Sequence, residues 1–482
     1  MIEASTLNMQ AALQEILLFI AILVLMVVGA FREKDGGRVV SAVAILVLVA
    51  TALMGLGAER GIEAFGGHFM FDAFSAFMKL FILLGTAAAI LLARSFLVEQ
   101  EMDRFEYPLL ALFSALGMCM MVSANSLLAL YMALELQSLP LYVLAAINRD
   151  NLRSTEAGLK YFVLGALASG MLLYGCSLVY GFAGTLEFTE LSARYFTGGE
   201  QLALGALVGL VFIVAGLAFK LGAVPFHMWT PDVYEGSPTP VTAFFAAAPK
   251  LAAMGLTLRV MMYAFGGSAP HWQQIIVFVS VASMGLGAFA AIGQTNIKRL
   301  MAYSGIGHVG YALVGLAAGT QSGVYGVLVY MAIYMVTTLG TFGCILMMRR
   351  QGRYVETIGD LAGLSSRQPL FALAIAIFMF SLAGIPPLAG FFGKLYVFMA
   401  AIQSGLVVLA VIGVLTSVVG AYYYLRIVKL MYFDEAADPF DLQQPFEVRL
   451  VSGVTAALVL GFIFLPGGIL QAAQGAAAAL VP

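Results

Sequence analysis

Six basic side chains lie inside apolar runs of the 482-residue chain, where a charge is costly. Five of the six are lysines, although the chain has only 8 Lys against 16 Arg. A lysine amine removed from water can be driven to release its proton, whereas arginine stays protonated. Five charges at membrane depth cost more than about 12 kcal/mol on insertion scales, which is too much for accident. The pattern predicts titratable groups along an ion path, and the six residues are Lys79, Lys160, Lys220, Lys250, Arg259 and Lys394.

One carboxylate and several helix breakers accompany these lysines. Glu135 lies about 12 Å into its apolar span at a rise of 1.5 Å per residue, and it is the obvious acidic partner. Proline interrupts a helix, and broken backbone at membrane depth is tolerated only where protein buries it or water fills a cavity. The lysines that adjoin such breakers are Lys220 before Pro225, Lys250 after Pro249 and Lys394 after Pro386-Pro387.

Each candidate also has a structural interpretation. Lys79 fits a snorkelling or locally paired role, and Lys160 can form an i,i+4 pair with Glu156. Arg259 is predicted to be an interfacial anchor. His308, inside an apolar run, could relay protons or hydrogen-bond within the core. For Glu135 and its lysines the alternative is a static ion-pair scaffold, which does not explain why lysine is used instead of arginine.

The composition excludes a soluble protein. Of all residues, 62% are apolar and 10% are charged, against about 45–50% and about 25% in soluble domains. A net charge of −2 argues against a nucleic-acid partner. Cys119, Cys176 and Cys344 lie singly in apolar runs, without a CxxC motif or a Cys/His cluster. The sequence therefore predicts no metal site and no redox cofactor in this chain.

Apolar runs of span length predict an all-α integral membrane protein with about fourteen transmembrane helices and no soluble domain. Sixteen basic residues fall in loops on one side, whereas the other side has only Arg60 and Arg194. The positive-inside rule then places both termini on the side away from the cytoplasm. The predicted spans are 11–30, 38–57, 70–93, 108–124, 127–147, 158–182, 202–224, 239–265, 273–293, 297–318, 322–348, 370–403, 406–432 and 447–466.

Four stretches closely resemble one family of membrane proteins, the antiporter-like membrane subunits of proton-pumping NADH:quinone oxidoreductase, respiratory complex I. The resemblance extends from about residue 70 to 430. The stretches are Leu134-Glu-Leu-Gln-Ser-Leu-Pro-Leu-Tyr142, Gly158-Leu-Lys-Tyr-Phe-Val-Leu-Gly165, Phe219-Lys-Leu-Gly-Ala-Val-Pro-Phe-His-Met-Trp229 with Pro231-Asp-Val-Tyr-Glu-Gly-Ser-Pro238, and Gly384-Ile-Pro-Pro-Leu-Ala-Gly-Phe-Phe-Gly-Lys394.

The resemblance implies a fold with two inverted five-helix repeats, each containing a broken helix. The single membrane domain would divide into residues 1–107 (the first three helices), 108–265 and 273–432 (the repeats) and 447–466 (the last helix). It also implies a translocase subunit of the respiratory chain that moves protons. NAD, flavin, iron–sulfur clusters and quinone would belong to other subunits. Expected partners are other membrane-arm subunits and the lipid bilayer of a bacterial inner membrane, with both termini periplasmic.

Residue by residue, the resemblance assigns a proton path. Glu135 would pair with Lys220 on the first broken helix, and Lys394 would lie on the second. The remaining matches are Lys160, Lys250 and the possible relay His308. The family commonly has serine where this chain has Gly305, so the match around His308 is incomplete.

Within the family, Lys394 and the chain length favour one of three similar members. A second member usually has glutamate at this position, and the third has two more helices and a long lateral helix. Two other functions remain open from the sequence. The chain could be a subunit of a multi-subunit Na⁺/H⁺ antiporter, or a non-pumping scaffold whose charges hold its neighbours. A solute transporter is a third alternative.

Overall fold

The computed structural model describes residues 8–32, 36–194, 203–464 and 466–481, and helices dominate it. The N-terminal part has long helices and an antiparallel hairpin in which Ile62 pairs with Phe71. Its elements are α1 (Leu13–Phe31), α2 (Gly36–Leu56), β1 (Ile62–Ala64), β2 (Phe69–Phe71) and α3 (Ala73–Glu99).

The middle of the chain contains several short helices. The last of these helices continues as a π-helical turn, Arg259–Ala264. The helices are α4 (Glu106–Ser123), α5 (Leu127–Ala145), α6 (Leu152–Ala183), α7 (Phe188–Ser192), α8 (Leu204–Leu221), α9 (Trp229–Gly236), α10 (Thr239–Ala246) and α11 (Ala248–Leu258). Of the short helices, α7 and α9 lie between predicted spans, and α10 and α11 divide one span.

The C-terminal part consists of further helices and a second short hairpin. Turns of 3₁₀-helix, Gly266–Ser268 and Ile358–Leu361, precede two of the helices. The elements are α12 (Ala269–Ile292), α13 (Ile297–Ala317), α14 (Gln321–Leu346), β3 (Arg349–Arg350), β4 (Arg353–Tyr354), α15 (Leu364–Arg367), α16 (Pro369–Ala383), α17 (Ala389–Gln403), α18 (Val407–Phe433), α19 (Phe446–Gly461) and α20 (Gly467–Leu480).

Within the described ranges, twelve helical segments are long and apolar enough to cross a membrane. This confirms the predicted all-α transmembrane fold. Each predicted span overlaps a helix, but span 370–403 is divided into α16 and α17, and the last span ends at Gly461. The apolar-run criterion does not predict α20, because alanine and glycine dominate its sequence and two glutamines interrupt it. This helix packs against α3 and α14.

The most deeply buried helices are those of residues 239–264, α13 and α14. The most apolar window of residues 239–264 is 100% buried, and those of α13 and α14 are 94% buried. The corresponding windows of α1 and α18 are only 33% buried. Outer helices can expose apolar side chains because lipid tails are as apolar as leucine. The central helices must therefore carry whatever polar chemistry the bundle encloses.

The helices that carry Lys220 and Lys394 are both interrupted beside the lysine. Gly222 ends α8 with φ 72°, and Gly384 ends α16 with φ 85°. This left-handed conformation suits glycine, which has no Cβ. Prolines follow each glycine, and proline cannot donate the N–H that a continuing helix needs.

A third interruption separates α10 from α11. Ala247, with φ −106° and ψ −98°, leaves helical geometry, and Pro249 starts the next helix. Lys250 lies in this first turn of α11. The predicted association of buried lysines with broken backbone is therefore present at Lys220, Lys250 and Lys394.

Candidate functional site

Glu135 on α5 and Lys220 on α8, the predicted ion pair, lie near each other but do not bind directly. Lys220 Nζ donates a hydrogen bond to Ser138 Oγ at 2.7 Å. Ser138 in turn donates to the Leu134 carbonyl at 2.5 Å. Glu135 Oε1 is buried without a hydrogen-bond partner among the described residues, and its charge acts on Lys220 electrostatically. The lysine thus binds a serine one helical turn from the carboxylate.

Lys250 lies at the centre of the bundle without an acidic partner among the described residues. Its side chain is buried, and its Nζ makes no hydrogen bond to them. The Tyr234 ring centroid is 5.4 Å from this Nζ. On the facing helix α13, a Cβ added at Gly305 would lie 2.6 Å from the amine and 3.0 Å from the Tyr334 hydroxyl. An unpaired buried ammonium is costly, so this amine lies where its charge is weakly stabilised.

His308 on α13 occupies the space between the central and the terminal lysine. Its Nδ1 is 2.6 Å from the Tyr330 hydroxyl, and its Nε2 is 3.1 Å from the Tyr424 hydroxyl. Tyr424 is also 2.5 Å from Ser304 Oγ. The Tyr334 ring centroid lies 5.0 Å from the imidazole. Both ring nitrogens are therefore hydrogen-bonded, and hydroxyl groups that can donate and accept protons surround them.

Lys394 caps the broken end of α16. Its Nζ donates to the carbonyls of Leu382 and Ala383 at 3.1 and 2.9 Å, and to Ser417 Oγ at 2.8 Å. The Tyr311 ring centroid is 4.7 Å away. A helix end leaves its last carbonyls without intrahelical partners, so the break creates the acceptors that hold this ammonium.

Lys160, in contrast, lies at the exposed edge of α6. Its side chain is 41% exposed, and its Nζ is 2.8 Å from both Glu156 and Asp232. Asp232 also binds Arg299 at 2.8 Å. Burial alone would raise the pKa of Asp232, but hydrogen bonds from Lys160 and Arg299 hold that pKa below its usual value. The structure therefore brings Lys160 into a surface charge network that includes the predicted i,i+4 pair, and leaves it apart from the buried lysines.

Comparison with known proteins decides the family. The family described as NADH:quinone oxidoreductase/Mrp antiporter, TM, matches residues 124–420. NADH-quinone oxidoreductase subunit N of Parvibaculum lavamentivorans is 59% identical over 98% of this chain and 97% of its own length. The chain belongs to the NADH-quinone oxidoreductase subunit N family. This confirms the resemblance and the choice among the three members.

Solved structures of related membrane complexes contain chains with the same fold. A chain of respiratory complex I from Thermus thermophilus, solved with bound aureothin, is 33% identical, with a TM-score of 0.81 over 96% of this chain and 99% of that chain. A chain of the Mrp complex from a Dietzia species is 24% identical, with a TM-score of 0.82 over 98% of each. The second likeness concerns the fold alone.

Lys79 and Arg259, two buried cations of this subunit N family member, bind carboxylates on other parts of the chain. Lys79 is fully buried on α3, and its Nζ lies 2.8 Å from Glu15 Oε1 on α1. Arg259 is also fully buried, and it binds Asp72 at 2.8 Å and the Val122 carbonyl at 2.9 Å. The expectation that Arg259 is an interfacial anchor is wrong, because its guanidinium is enclosed by protein.

A polar cleft of 540 Å³ opens at the C-terminal end of α9, where Gly236 and Ser237 line it. On its wall, Lys298 Nζ is 2.7 Å from Glu356 Oε1 and donates to the Ser237 carbonyl at 2.8 Å. Ser237 follows α9, whose Tyr234 contacts Lys250. The cleft therefore extends from solvent to the end of a helix that contacts the buried amine. Other lining residues are Asn148, Asn151, Thr239 and Asn296.

Several polar contacts of the site are not predicted by the sequence analysis. Ser138 is the contact that the sequence could have indicated, because it lies one helical turn after Glu135 in the same motif. Ser417, Tyr330 and Tyr424 carry no such signal, since their partners lie on other helices. Within the described ranges, no group of three or more His, Cys, Asp or Glu side chains is arranged to hold a metal ion.

Proposed function

We propose that this subunit N family member translocates protons within a membrane-bound NADH:quinone oxidoreductase. The proton path runs through the buried amines of Lys220, Lys250 and Lys394, with His308 as a relay and Glu135 as the group that controls Lys220. Lys160 belongs to the path at the protein surface, where its amine binds Glu156 and Asp232. The observation that carries the proposal is that three lysine amines lie buried beside broken backbone in one bundle.

The lysine chemistry suits proton transfer better than static pairing. Lys250 has no carboxylate partner among the described residues, and Lys394 is held by neutral oxygens. Charges on Lys250 and Lys394 both act on the His308 imidazole. A proton that leaves one amine therefore changes the electrostatic environment of the next group. Titrations of such groups are coupled, so the path responds as a unit.

The second half of the path is lined by groups that can pass protons. Hydroxyls of Tyr330 and Tyr424 bind the two imidazole nitrogens. A cavity of 10 Å³, about the volume that one water needs, lies beside His308 and the break between α16 and α17, where Ser381 and Gly390 line it. These contacts support transfer between His308 and Lys394.

Proton entry fits the polar cleft. The cleft lies among loops of the lysine- and arginine-rich side, which the positive-inside rule makes cytoplasmic. Lys298 and Glu356 on its wall form an ion pair at 2.7 Å. Protons would enter there and reach Lys250 past Tyr234. Both chain termini would then face the periplasm.

Glu135 and Ser138 offer Lys220 two alternative partners. The present conformation has Lys220 on Ser138, and a rotation of its flexible side chain would bring the amine to the carboxylate one turn away. Contact with Glu135 stabilises the ammonium, and release weakens it. Movement in neighbouring subunits could switch Lys220 between these states and so start transfer along the path.

The energy and the cofactors come from partners in this proposal. NAD, flavin, iron–sulfur clusters and quinone belong to other subunits, and other membrane-arm subunits pack around this chain in a bacterial inner membrane. The chain is then a part of an enzyme and contributes transport, while the redox reaction occurs elsewhere in the complex.

Substitution of Lys250 by methionine tests the proposal, because methionine keeps the apolar bulk but cannot carry a proton. Loss of a proton-transfer group slows transfer by about 100-fold or more, so protons moved per electron should fall in vesicles that hold the assembled complex. Lys429→Met is the matched control, since Lys429 is 66% exposed and pairs with Asp434 at the surface. Proton uptake, NADH oxidation and assembly on native gels are measured together.

The alternatives give different results in the same vesicles. Normal proton-to-electron ratios in assembled Lys250→Met, Lys220→Ala and Glu135→Ala complexes would make the chain a scaffold and end the proposal. Sodium-dependent proton exchange without NADH would instead identify an antiporter subunit.

A further inference from the structure

The buried pair of Lys79 and Glu15 lies outside the proposed path. Lys79 on α3 is fully buried, and its Nζ is 2.8 Å from Glu15 Oε1 on α1. Glu15 is 6% exposed. Both residues precede the segment 124–420 that the family model matches. Nothing in the path from Lys220 to Lys394 uses this pair.

The pair is enclosed on the basic-poor face, which is the side whose loops hold Arg60 and Arg194. Glu15 lies in the first turn of α1, and Lys79 is about 9 Å along α3 at 1.5 Å per residue. The β1–β2 hairpin covers them, since the ring centroids of Phe69 and Phe71 are 5.0 and 4.8 Å from Lys79 Nζ. Asn125 holds the hairpin by donating to the Gly67 carbonyl at 2.8 Å.

The pair of Arg259 and Asp72 is a structural ion pair that further hydrogen bonds hold in place. Arg259 donates to Asp72 and to the Val122 carbonyl. Asp72 also accepts from the Ser75 backbone N–H at 2.7 Å, which caps α3. Arginine cannot release its proton in such a site. Geometry and residue type therefore both fix this pair in its charged form.

The Glu15–Lys79 pair lacks that support. Among the described residues, the Lys79 ammonium contacts the Glu15 carboxylate and the faces of the Phe69 and Phe71 rings. Glu15 Oε2 has no hydrogen-bond partner among the described residues. One proton moving from Nζ to the carboxylate would leave a neutral amine and a neutral acid, which removes both buried charges. A buried pair with few hydrogen bonds repays its desolvation poorly, so both protonation states are accessible.

We propose that Glu15 and Lys79 form a second proton-exchange site, which binds a proton beneath the β1–β2 hairpin and exchanges it with the basic-poor face. The inference rests on the proposed function. The proton held between the carboxylate and the amine leaves when Phe69 and Phe71 move aside, and a proton from the bundle replaces it. Among the described residues, the other ionisable groups around the pair are the Cys119 thiol on α4, on which both charges act, and Asp72 at the start of α3, which binds Arg259.

Lys79→Arg separates exchange from static pairing. Arginine preserves the charge pair with Glu15 but cannot give up its proton. If the site exchanges protons, Lys79→Arg lowers protons moved per electron as much as Lys79→Met does, because transfer through the site slows by about 100-fold. If the pair only holds α1 against α3, Lys79→Arg pumps normally. Lys220→Met is measured in the same vesicles as the reference for the main path.

Infrared difference spectra of the whole complex give an independent readout. Turnover should produce a carboxylic acid C=O signal that is absent in Glu15→Gln. Normal pumping in Lys79→Arg with impaired Lys220→Met would overturn the inference alone, and normal pumping in both would overturn the proposed function as well. An infrared signal unchanged in Glu15→Gln, or failure of both Glu15→Gln and Lys79→Arg to assemble, would show that the pair is structural.

Discussion

At the scale of single residues, the position of the Lys250 amine depends on the absence of a side chain at Gly305. A Cβ there would lie 2.6 Å from Lys250 Nζ and 3.0 Å from the Tyr334 hydroxyl. Contacts this short force a neighbour to move. Because the nearest atom is the end of a flexible side chain, the amine moves and helix α13 can stay in place. Glycine at this position therefore sets where the central amine lies.

Gly305→Ala should displace the Lys250 amine from Tyr334. Misplacing a reacting group by about 1 Å can cost about 100-fold in rate, so protons moved per electron should fall. The free energy of unfolding should change by at most about 1–3 kcal/mol, the usual cost of overpacking. Gly285→Ala on α12 is the control, since nothing lies within 4 Å of its added Cβ. Equal pumping by the two variants would show that the position of the amine is unimportant.

At the scale of elements, the break between α16 and α17 gives Lys394 two tasks. Its ammonium satisfies the carbonyls of Leu382 and Ala383, and the proposed path uses the same group to carry protons. An unsatisfied buried carbonyl costs about 1–3 kcal/mol. The broken helix therefore needs a donor here whether or not the donor can titrate.

Lys394→Gln and Lys394→Met should separate these tasks. The glutamine amide can still donate two hydrogen bonds but cannot transfer a proton. Both variants should lose proton transfer, while Lys394→Met alone should lose about 1–3 kcal/mol for each carbonyl that it leaves unpaired. Thermal unfolding of the detergent-solubilised complex and proton uptake in vesicles check the two effects. Pumping by Lys394→Gln at the wild-type rate would reduce Lys394 to a structural role.

The elements themselves could largely be predicted from the sequence. Apolar runs mark the spans, and Pro386-Pro387 marks the division of predicted span 370–403 into α16 and α17. The carbonyl contacts of Lys394 follow from that division, because a broken helix leaves acceptors free. Apolar runs do not predict helix α20, because its alanines pack on α3 and α14 without forming a strongly apolar run.

The partners across the bundle could not be predicted in this way. The period of a helix shows which residues share a face, but it does not show which helix that face meets. His308 binds Tyr424, which lies 116 residues later, and Lys79 binds Glu15 on the first helix. Lys220 binds Ser138 where the motif suggested Glu135. Whether these residues form the proton path stays a prediction.

At the scale of the whole molecule, a charged junction joins the first and last parts of the chain. Arg349 on β3 binds Glu99 at the end of α3 at 2.6 Å, and binds Asp441 between α18 and α19 at 2.9 Å. The Tyr354 hydroxyl donates to Glu99 at 2.7 Å. These contacts hold α3 and the loop before α19 against the β3–β4 hairpin, outside the buried core.

Asp441 should make this junction sensitive to acid. The Gly352 N–H, together with the Gln351 N–H and Arg349, holds the pKa of Asp441 below its usual value, although partial burial opposes the shift. A carboxyl whose pKa is lower in the folded chain stabilises above its unfolded pKa of about 3.9 and loses that contribution as the pH falls through the folded value. The protection of the amides of residues 349–354 against hydrogen exchange, relative to their intrinsic exchange rates, should therefore fall below about pH 4. In Asp441→Asn this protection should already be low at neutral pH and should vary little with acid. Asp438→Asn is the control, because Asp438 binds Arg350 through its backbone carbonyl, which the substitution keeps. An equal acid response in Asp441→Asn and wild type would show that Glu99, and not Asp441, makes the junction sensitive to acid.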